Sequence, residues 1–350
     1  MRLDAFVELA SGVDAFYLTG ACVLPIPFLE DLAAARADAG ESGQATDIHL
    51  GDARFAVSGR GIQKYAFALE HSNGILACTP SQSLPPVYVQ PRASFIHAVG
   101  IEAATAWFTE LVEGIAGTVR WNVSRVDLFM DSQGWDLDAE DRDQFVCRAR
   151  DRQVYERDAE MTGLAFGSGK SVMARIYDKT EESRKKGTDW WPTVWGESFV
   201  PTERVLRVEF QVRRQVIRQV GLSAPDDVLR ELPRLWAYLT DEWLTFRSVS
   251  SDATRSRWPL SPEWTHIQQA ELRGSAIGLE RVYEQARAGS IRQLLPALQG
   301  YLTSAGALLG AGSLEDTMSR VRRLLALEED RTGIAFGDRL SRKALELGLA

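Results

Sequence analysis

The chain is poor in the residues that most often build metal and redox centres: 350 residues include only 3 cysteines and 4 histidines. Cys22, Cys78 and Cys147 are scattered and odd in number, which excludes a disulfide framework and a cysteine zinc site. His49, His71, His97 and His266 show no HxH, HxxxH or HExxH spacing. Any metal would then be held mostly by carboxylates, which favours a hard cation, Mg²⁺ or Mn²⁺, over zinc. No apolar run approaches the roughly 18 residues that cross a bilayer. The opening "MRLDAFVELASG" lacks the basic start and continuous apolar core of a secretory signal. A cytoplasmic protein without a membrane partner is the expectation. No fixed-period repeat or low-complexity tract is evident. The net charge of −8 argues against nonspecific coating of nucleic acid, yet leaves room for a local basic groove.

What is present is an ordinary globular composition, 45% hydrophobic and 25% charged. Residues 14–20 read as a short strand and 25–42 as a helix with prolines at its start. Strand-like pieces come next: "ARFAVSG", "KYAFALEH", "GILACTP" and "PVYVQPR". Residues 100–117 read as an amphipathic helix with Ala104, Trp107, Leu111 and Ile115 near one face. "SRVDLFMD" (124–131) alternates as a strand, and the charged stretch 136–160 has mostly helical character. "SVMARIYDK" (171–179) and "RVLRVEFQVRR" (204–214) are strands, joined by a loop over 180–203. From Ser223 to the end the pattern is helical. The expected organisation is an α+β body over 1–222 and a helical C-terminal region over 223–350.

The segment "GLAFGSGKSVMARIYDK" begins almost like a phosphate-binding loop. Such a loop needs glycine, four residues, then Gly-Lys-Ser/Thr, and it opens a helix. Gly169-Lys170-Ser171 fits the end, but the position of the first glycine is Leu164, and the stretch from Val172 to Lys179 alternates as a strand. A glycine-rich turn between two strands is the better reading, and an ATPase is rejected.

Alternation carries more information. Arg125, Asp127, Phe129 and Asp131 share one face of their strand. Met173, Arg175, Tyr177 and Lys179 share a face of the second, and Arg207, Glu209, Gln211 and Arg213 a face of the third. If the three strands pair, carboxylates, a tyrosine and several cations meet on one surface. Carboxylates on adjacent strands can hold a hard cation. A tyrosine beside a cation has a more easily deprotonated phenol and can serve as a nucleophile. Guanidinium forks suit phosphate oxygens. An antiparallel sheet with one wet face shows the same alternation without any function, so the pattern alone leaves the site open.

The order "SRVDLFMD", "GLAFGSGKSVMARIYDK", "RVLRVEFQVRR" resembles the replication initiation factor family. Its members are rolling-circle initiators of plasmids and filamentous phages, with related relaxases of integrative conjugative elements. The family pattern is R-x-D-x-x-x-D, then a glycine-containing turn into R-I-Y-[ND]-K, then R-x-E. The resemblance runs from Val123 to Ile217, and "RWPLSPEWTHI" is similar to a segment that often follows the core. It implies an antiparallel sheet with flanking helices, related to the HUH endonucleases but without their paired histidines. Tyr177 is then the implied nucleophile, with Asp127 and Glu209 as metal ligands and Asp131 as a third. Arg125, Lys170, Arg175, Lys179, Arg207 and Arg213 are the implied DNA contacts. Where the family often has "YNKK", this chain has Asp178, Lys179 and Thr180.

The implied activity is rolling-circle initiation: sequence-specific, metal-dependent nicking and joining of origin DNA through a 5′-phosphotyrosine, with the DNA single-stranded or locally melted at the nick. A relaxase with the same chemistry, a nonenzymatic DNA-binding protein on the same fold and a phosphodiesterase without a covalent step are the alternatives. A host helicase, a polymerase and a second copy of the chain are the further partners this reading allows. From Gly163 to Gln219 there are 11 Lys and Arg against 7 Asp and Glu, the reverse of the whole chain's sign. Trp190, Trp191 and Trp195 come after the basic run "SRKK", and could either stack on unpaired bases or pack beneath their loop.

Overall fold

In the computed structural model, residues 6–157, 160–272, 295 and 298–346 are described. The first strand, β1 (Val7–Ala21), is far longer than its apolar core suggests; Phe16 and Leu18 enter the interior while Tyr17 and Thr19 alternate to the other face. Helix α1 (Ile26–Ser42) comes next, starting on prolines as its sequence implies and ending on Gly43 in the left-handed region. A meander of short strands then returns toward β1: β2 (Thr46–Leu50), β3 (Ala53–Val57), β4 (Phe67–His71), β5 (Gly74–Cys78) and β6 (Val87–Pro91). Helices α2 (Ala93–Val99) and α3 (Ile101–Ala116) close this half, α3 burying Ala104, Phe108 and Val112.

The second half opens on another long strand, β7 (Arg120–Gln133), antiparallel to β1 along most of its length. Next come β8 (Phe145–Cys147), β9 (Arg152–Arg157), β10 (Glu160–Phe166) and β11 (Val172–Asp178). Helices α4 (Lys179–Lys186) and α5 (Trp191–Trp195) lead into β12 (Leu206–Arg213). The result is an 11-stranded sheet in the order β2-β3-β4-β5-β6-β1-β7-β12-β11-β10-β9. Every pair in it is antiparallel. The fold is α+β: an antiparallel sheet with flanking helices and a helical C-terminal region.

Three local expectations change. The stretch 136–160 is not helical: beyond a 3₁₀ turn at Glu140–Gln144 it forms β8, β9 and the start of β10. Its charges are those of exposed edge strands, since all of Arg152–Arg157 is solvent-facing, and charge protects such an edge from pairing. The loop expected over 180–203 is largely helical. The helical region from Ser223 is interrupted by β13 (Leu244–Phe246), which pairs with β8.

Residues after 222 share the core of the sheet. After α6 (Arg214–Gln219), helices α7 (Pro225–Arg230) and α8 (Leu232–Ala237) and a π-type turn at Tyr238–Trp243 bring Val228, Leu235, Trp236 and Leu239 against the sheet. Phe210 of β12 meets Trp236 edge-on, with ring centroids 5.5 Å apart. In α9 (Pro262–Gln268), capped by the Ser261 hydroxyl, Trp264 is fully buried. Trp264 Nε1 donates to Thr240 O at 2.8 Å, and Trp236 Nε1 to Ile267 O at 2.9 Å, so both indoles bury their rings without stranding a donor. The similarity noted for "RWPLSPEWTHI" thus falls on a core-packing element. Beyond residues 273–294, which lie outside the described residues, α10 (Leu314–Thr332) and α11 (Phe336–Glu346) expose much of their apolar surface, including Leu314, Leu327, Phe336 and Leu340. Among the described residues no helix is long and apolar enough to cross a membrane.

Candidate active site

The three alternating strands do pair. In the sheet β7 lies beside β12 and β12 beside β11, with Gln211 opposite Asp127, Arg207 opposite Asp131 and Tyr177 opposite Arg207. Arg175 stands opposite Glu209. The apolar sets, Val126, Leu128, Met130, Ala174, Ile176, Val208, Phe210 and Val212, form one continuous core under the sheet. The polar sets share the opposite face, which a one-residue slip in any strand would destroy. The glycine-rich segment is a turn between β10 and β11, with Gly167 and Gly169 at φ of 90° and 72°. No phosphate loop is formed.

At the centre of this face, the Tyr177 hydroxyl donates to Glu209 Oε2 at 2.8 Å. Arg175 Nη2 is bonded to the other oxygen, Oε1. Glu209 is almost completely buried, at the wall of an open cavity of about 480 Å³ that Tyr177, Arg175, Met173, Lys179, Trp190 and Asp14 also line. Burial, and then the Glu209 charge, push the Tyr177 phenol well above its ordinary value. The expected easing of ionisation by a neighbouring cation is therefore outweighed in the free protein: Arg207 acts in that direction but less strongly. Glu209 is the group placed to take the phenol proton.

Asp127 lies diagonally across from Glu209, one strand over, and is almost completely buried. Arg125 grips it two-pronged, with Nε on Oδ1 at 2.7 Å and Nη2 on Oδ2. Burial, with the Glu209 charge adding to it, nevertheless raises the Asp127 carboxyl to about 7, against the pull of Arg125. Two buried carboxylates close enough to repel are a pair that an added cation would relieve. No group of three His, Cys, Asp or Glu residues that could hold a metal occurs among the described residues. Arg125 holds both Asp127 oxygens, and Arg175 and Tyr177 hold those of Glu209, so a Mg²⁺ that keeps its waters and binds one or two carboxylates plus a substrate phosphate would have to take the place of one of these partners.

Asp131 and Arg207 do not join this site. Arg207 is fully enclosed and donates Nε and Nη2 to the two oxygens of Asp131 at 2.6 and 2.7 Å. Trp195 Nε1 adds a third bond to Asp131 at 2.8 Å. The Arg207 guanidinium also lies 4.1 Å from the Phe129 and Trp191 ring centres. Asp131 is thus fully enclosed with three donors on its two oxygens, and Arg207 has no open side for a phosphate. The pair is an internal brace, which corrects the sequence expectation for both residues.

The three tryptophans follow the packing alternative. Trp190, Trp191 and Trp195 are all buried, in a cluster with Phe129, Val205 and Ala98. The Arg207 guanidinium and the Lys179 ammonium both lie over the Trp191 ring, 4.1 and 4.5 Å from its centre, and Trp190 stacks on it at 4.3 Å. Lys179 is itself buried and paired with Glu182 at 2.8 Å, so it forms the cavity wall rather than an extended DNA contact. Asp178 accepts from the Glu181 amide at 2.9 Å as the N-cap of α4. An asparagine at this position would be equally suited to that cap. Lys170 is exposed at the turn, and Arg213 lies at the far end of the same face, where its Nε donates to Gly169 O at 3.3 Å.

Asp14 was not legible as a site residue. It sits at a bulge of β1, between Val13 and Ala15, where alternation is broken. Its carboxylate reaches Arg207 Nη1 at 3.2 Å and His97 Nε2 at 3.5 Å. Arg207 and His97 hold its carboxyl far below the usual carboxylate range despite burial. His97, in turn, packs edge-on against Trp191 at 4.9 Å.

No family model matches the chain, and no curated protein does. A solved rolling circle replication initiator protein from Geobacillus stearothermophilus is similar. That match has a TM-score of 0.47 and 17% identity, over 77% of this chain and 100% of that chain.

Proposed function

We propose that the protein is a rolling-circle replication initiator that nicks and rejoins origin DNA through Tyr177. The observation that carries this reading is the Tyr177–Glu209 hydrogen bond in an open cavity, with Asp127 beside it. The motif order shared with replication initiation factors supports it.

In the proposed step, Tyr177 Oη attacks the scissile phosphorus while its proton passes to Glu209 Oε2. A phosphorus–oxygen bond to the tyrosine forms as the bond to the 3′-oxygen breaks. The leaving oxygen takes a proton from solvent in the open cavity and becomes a free 3′-hydroxyl, and the 5′-phosphate stays on Tyr177. Because the phosphoryl group is held as a diester, the reverse attack rejoins the strand without ATP. Arg175, held by Glu209 at the cavity edge, offers its remaining donors to the phosphate oxygens. Asp127 and Glu209 are the residues that would hold Mg²⁺ or Mn²⁺, which would supply charge opposite the phosphate as it is transferred.

The test is a nicking assay on supercoiled DNA carrying the cognate origin. Wild-type protein with Mn²⁺ or Mg²⁺ should give nicked circles and a covalent protein–DNA adduct, and chelation with EDTA should abolish both. Tyr177→Phe should form neither product. Full nicking by that variant would remove Tyr177 as the nucleophile.

A further inference from the structure

Beyond Glu209 and Asp127, the same sheet face carries a second concentration of charge. Arg125 and Arg213 are directly opposite one another across β7 and β12. Like charges so placed repel, and a stable sheet tolerates them only where something compensates. Arg214, the next residue, extends Nη1 to Thr19 Oγ1 of β1 at 2.8 Å. Of these three guanidiniums Arg125 has a carboxylate, Asp127. Arg213 and Arg214 bond only to a backbone carbonyl and a hydroxyl, and neither forms an ion pair among the described residues. The cluster is short of anions.

Beside it lies an aromatic strip. The Arg125 guanidinium stands 4.9 Å from the Tyr17 ring centre. Tyr17 meets Tyr88 edge-on at 6.1 Å, and Tyr88 stacks on Tyr65 at 5.3 Å. Tyr88 is locked from its other side: its hydroxyl accepts from Gln90 Nε2 at 2.6 Å and Gln63 Nε2 at 3.2 Å. Tyr65 and Tyr88 are buried, which leaves Tyr17 as the partly open ring of the strip. A partly open ring with the Arg125 guanidinium over it, and with Arg213 opposite Arg125 and Arg214 bonded to Thr19 on the same strand, matches single-stranded nucleic acid, whose phosphates take the cations and whose bases take the ring.

We propose that Tyr17, Arg125, Arg213 and Arg214 form a nucleotide subsite that binds one base and its phosphate on the single DNA strand leading to Tyr177. At about 3.3 Å per residue, the run from Arg207 to Arg213 sets this subsite roughly 20 Å along the strands from Tyr177. Arg175, Glu209 and Asp127 lie on the face between them. The proposal rests on the nicking role given to the site, and it adds Tyr17 and Arg214, neither of which the sequence pattern signals.

The test measures anisotropy of a fluorescent oligothymidylate with Tyr177→Phe protein in EDTA, so that neither cleavage nor a divalent ion enters. Tyr17→Ala should weaken binding about five- to a hundred-fold, the usual range for a lost base stack, and Tyr17→Phe should retain it. Arg214→Gln should lower the slope of log affinity against log salt by about 0.7, the value of one single-strand phosphate. Unchanged affinity in Tyr17→Ala, or an unchanged slope in Arg214→Gln, overturns the subsite. Should Tyr17→Ala fail to fold, photocrosslinking of iododeoxyuridine oligonucleotides to protein with Tyr17 intact decides: adducts mapping to Tyr17 support the subsite, and adducts confined to other residues overturn it. Intact nicking by Tyr177→Phe counts against the nucleophile alone, whereas unaltered oligonucleotide binding by Tyr17→Ala counts against the subsite alone.

Discussion

The sheet has two wings that share one strand order and differ in what they carry. Each begins with a long strand, β1 or β7, and each returns through a meander whose last strand, β6 or β12, lies against the first. No sequence repeat betrays this, because topology constrains only which positions are apolar. On the open face β5 and β6 place Ala77, Tyr88 and Gln90, whereas β11 and β12 place Arg175, Tyr177, Arg207 and Glu209. The link between β5 and β6 is short; that between β11 and β12 contains α4, α5 and the tryptophan cluster. Those rings surround the ionic residues of one wing and lower the local dielectric, so charges there interact more strongly than on the other wing. The shared scaffold supplies positions, and the covering layer turns one set of them into a site.

The sharpest way to break this contrast uses one carboxylate from each open face. Glu209→Gln should abolish nicking while DNA binding persists, and Glu70→Gln, at an exposed position of β4, should leave nicking unchanged. Equal effects would mean that the wing does not matter. Next come two ion pairs. Arg207→Ala strands buried Asp131 and should cost about 3–5 kcal/mol in denaturant unfolding. Arg54→Ala, which breaks the partly exposed Arg54–Asp47 pair of the first wing, should cost about 0–1 kcal/mol.

The third prediction concerns pH. The Asp127 carboxyl is raised from 3.8 to about 7 in the folded protein, so between those values the native state keeps a proton that the unfolded chain has lost. Without divalent ions its contribution must fall as pH rises through that window. Relative to Asp127→Asn, wild-type stability should decline from pH 4 to 7, by on the order of a few kcal/mol. A flat difference would show that Asp127 is ionised throughout. The smallest effect tests α4, which the first wing lacks. Asp178→Ala should cost about 1 kcal/mol through its lost cap, and Asp178→Asn no more than a few tenths.

Much of the site was legible because strand alternation is a local property. Arg125, Asp127, Arg175, Tyr177 and Glu209 fall on one face by period alone, and pairing brings them together. Asp131 and Arg207 obey the same period yet are withdrawn, because α5 and its tryptophans cover that end of the strands. Asp14 escaped notice for the opposite reason: a bulge re-aims it, and bulges leave no mark on alternation. The helical reading of 136–160 failed because exposed edge strands and solvated helices share a charged composition. What the helices after residue 222 pack against was not legible, because amphipathic helices reveal that they have a buried face, not its partner.

The sequence by itself determined which faces of β7, β11 and β12 are polar, the turn at Gly167–Gly169, and the absence of a phosphate loop, since each depends on side-chain period or backbone freedom within a few residues. Tertiary structure alone decided which of those polar residues remain accessible. That choice depends on the layer packed above them, where burial commits Arg207 and Asp131 to each other and leaves Tyr177 and Glu209 facing the open cavity.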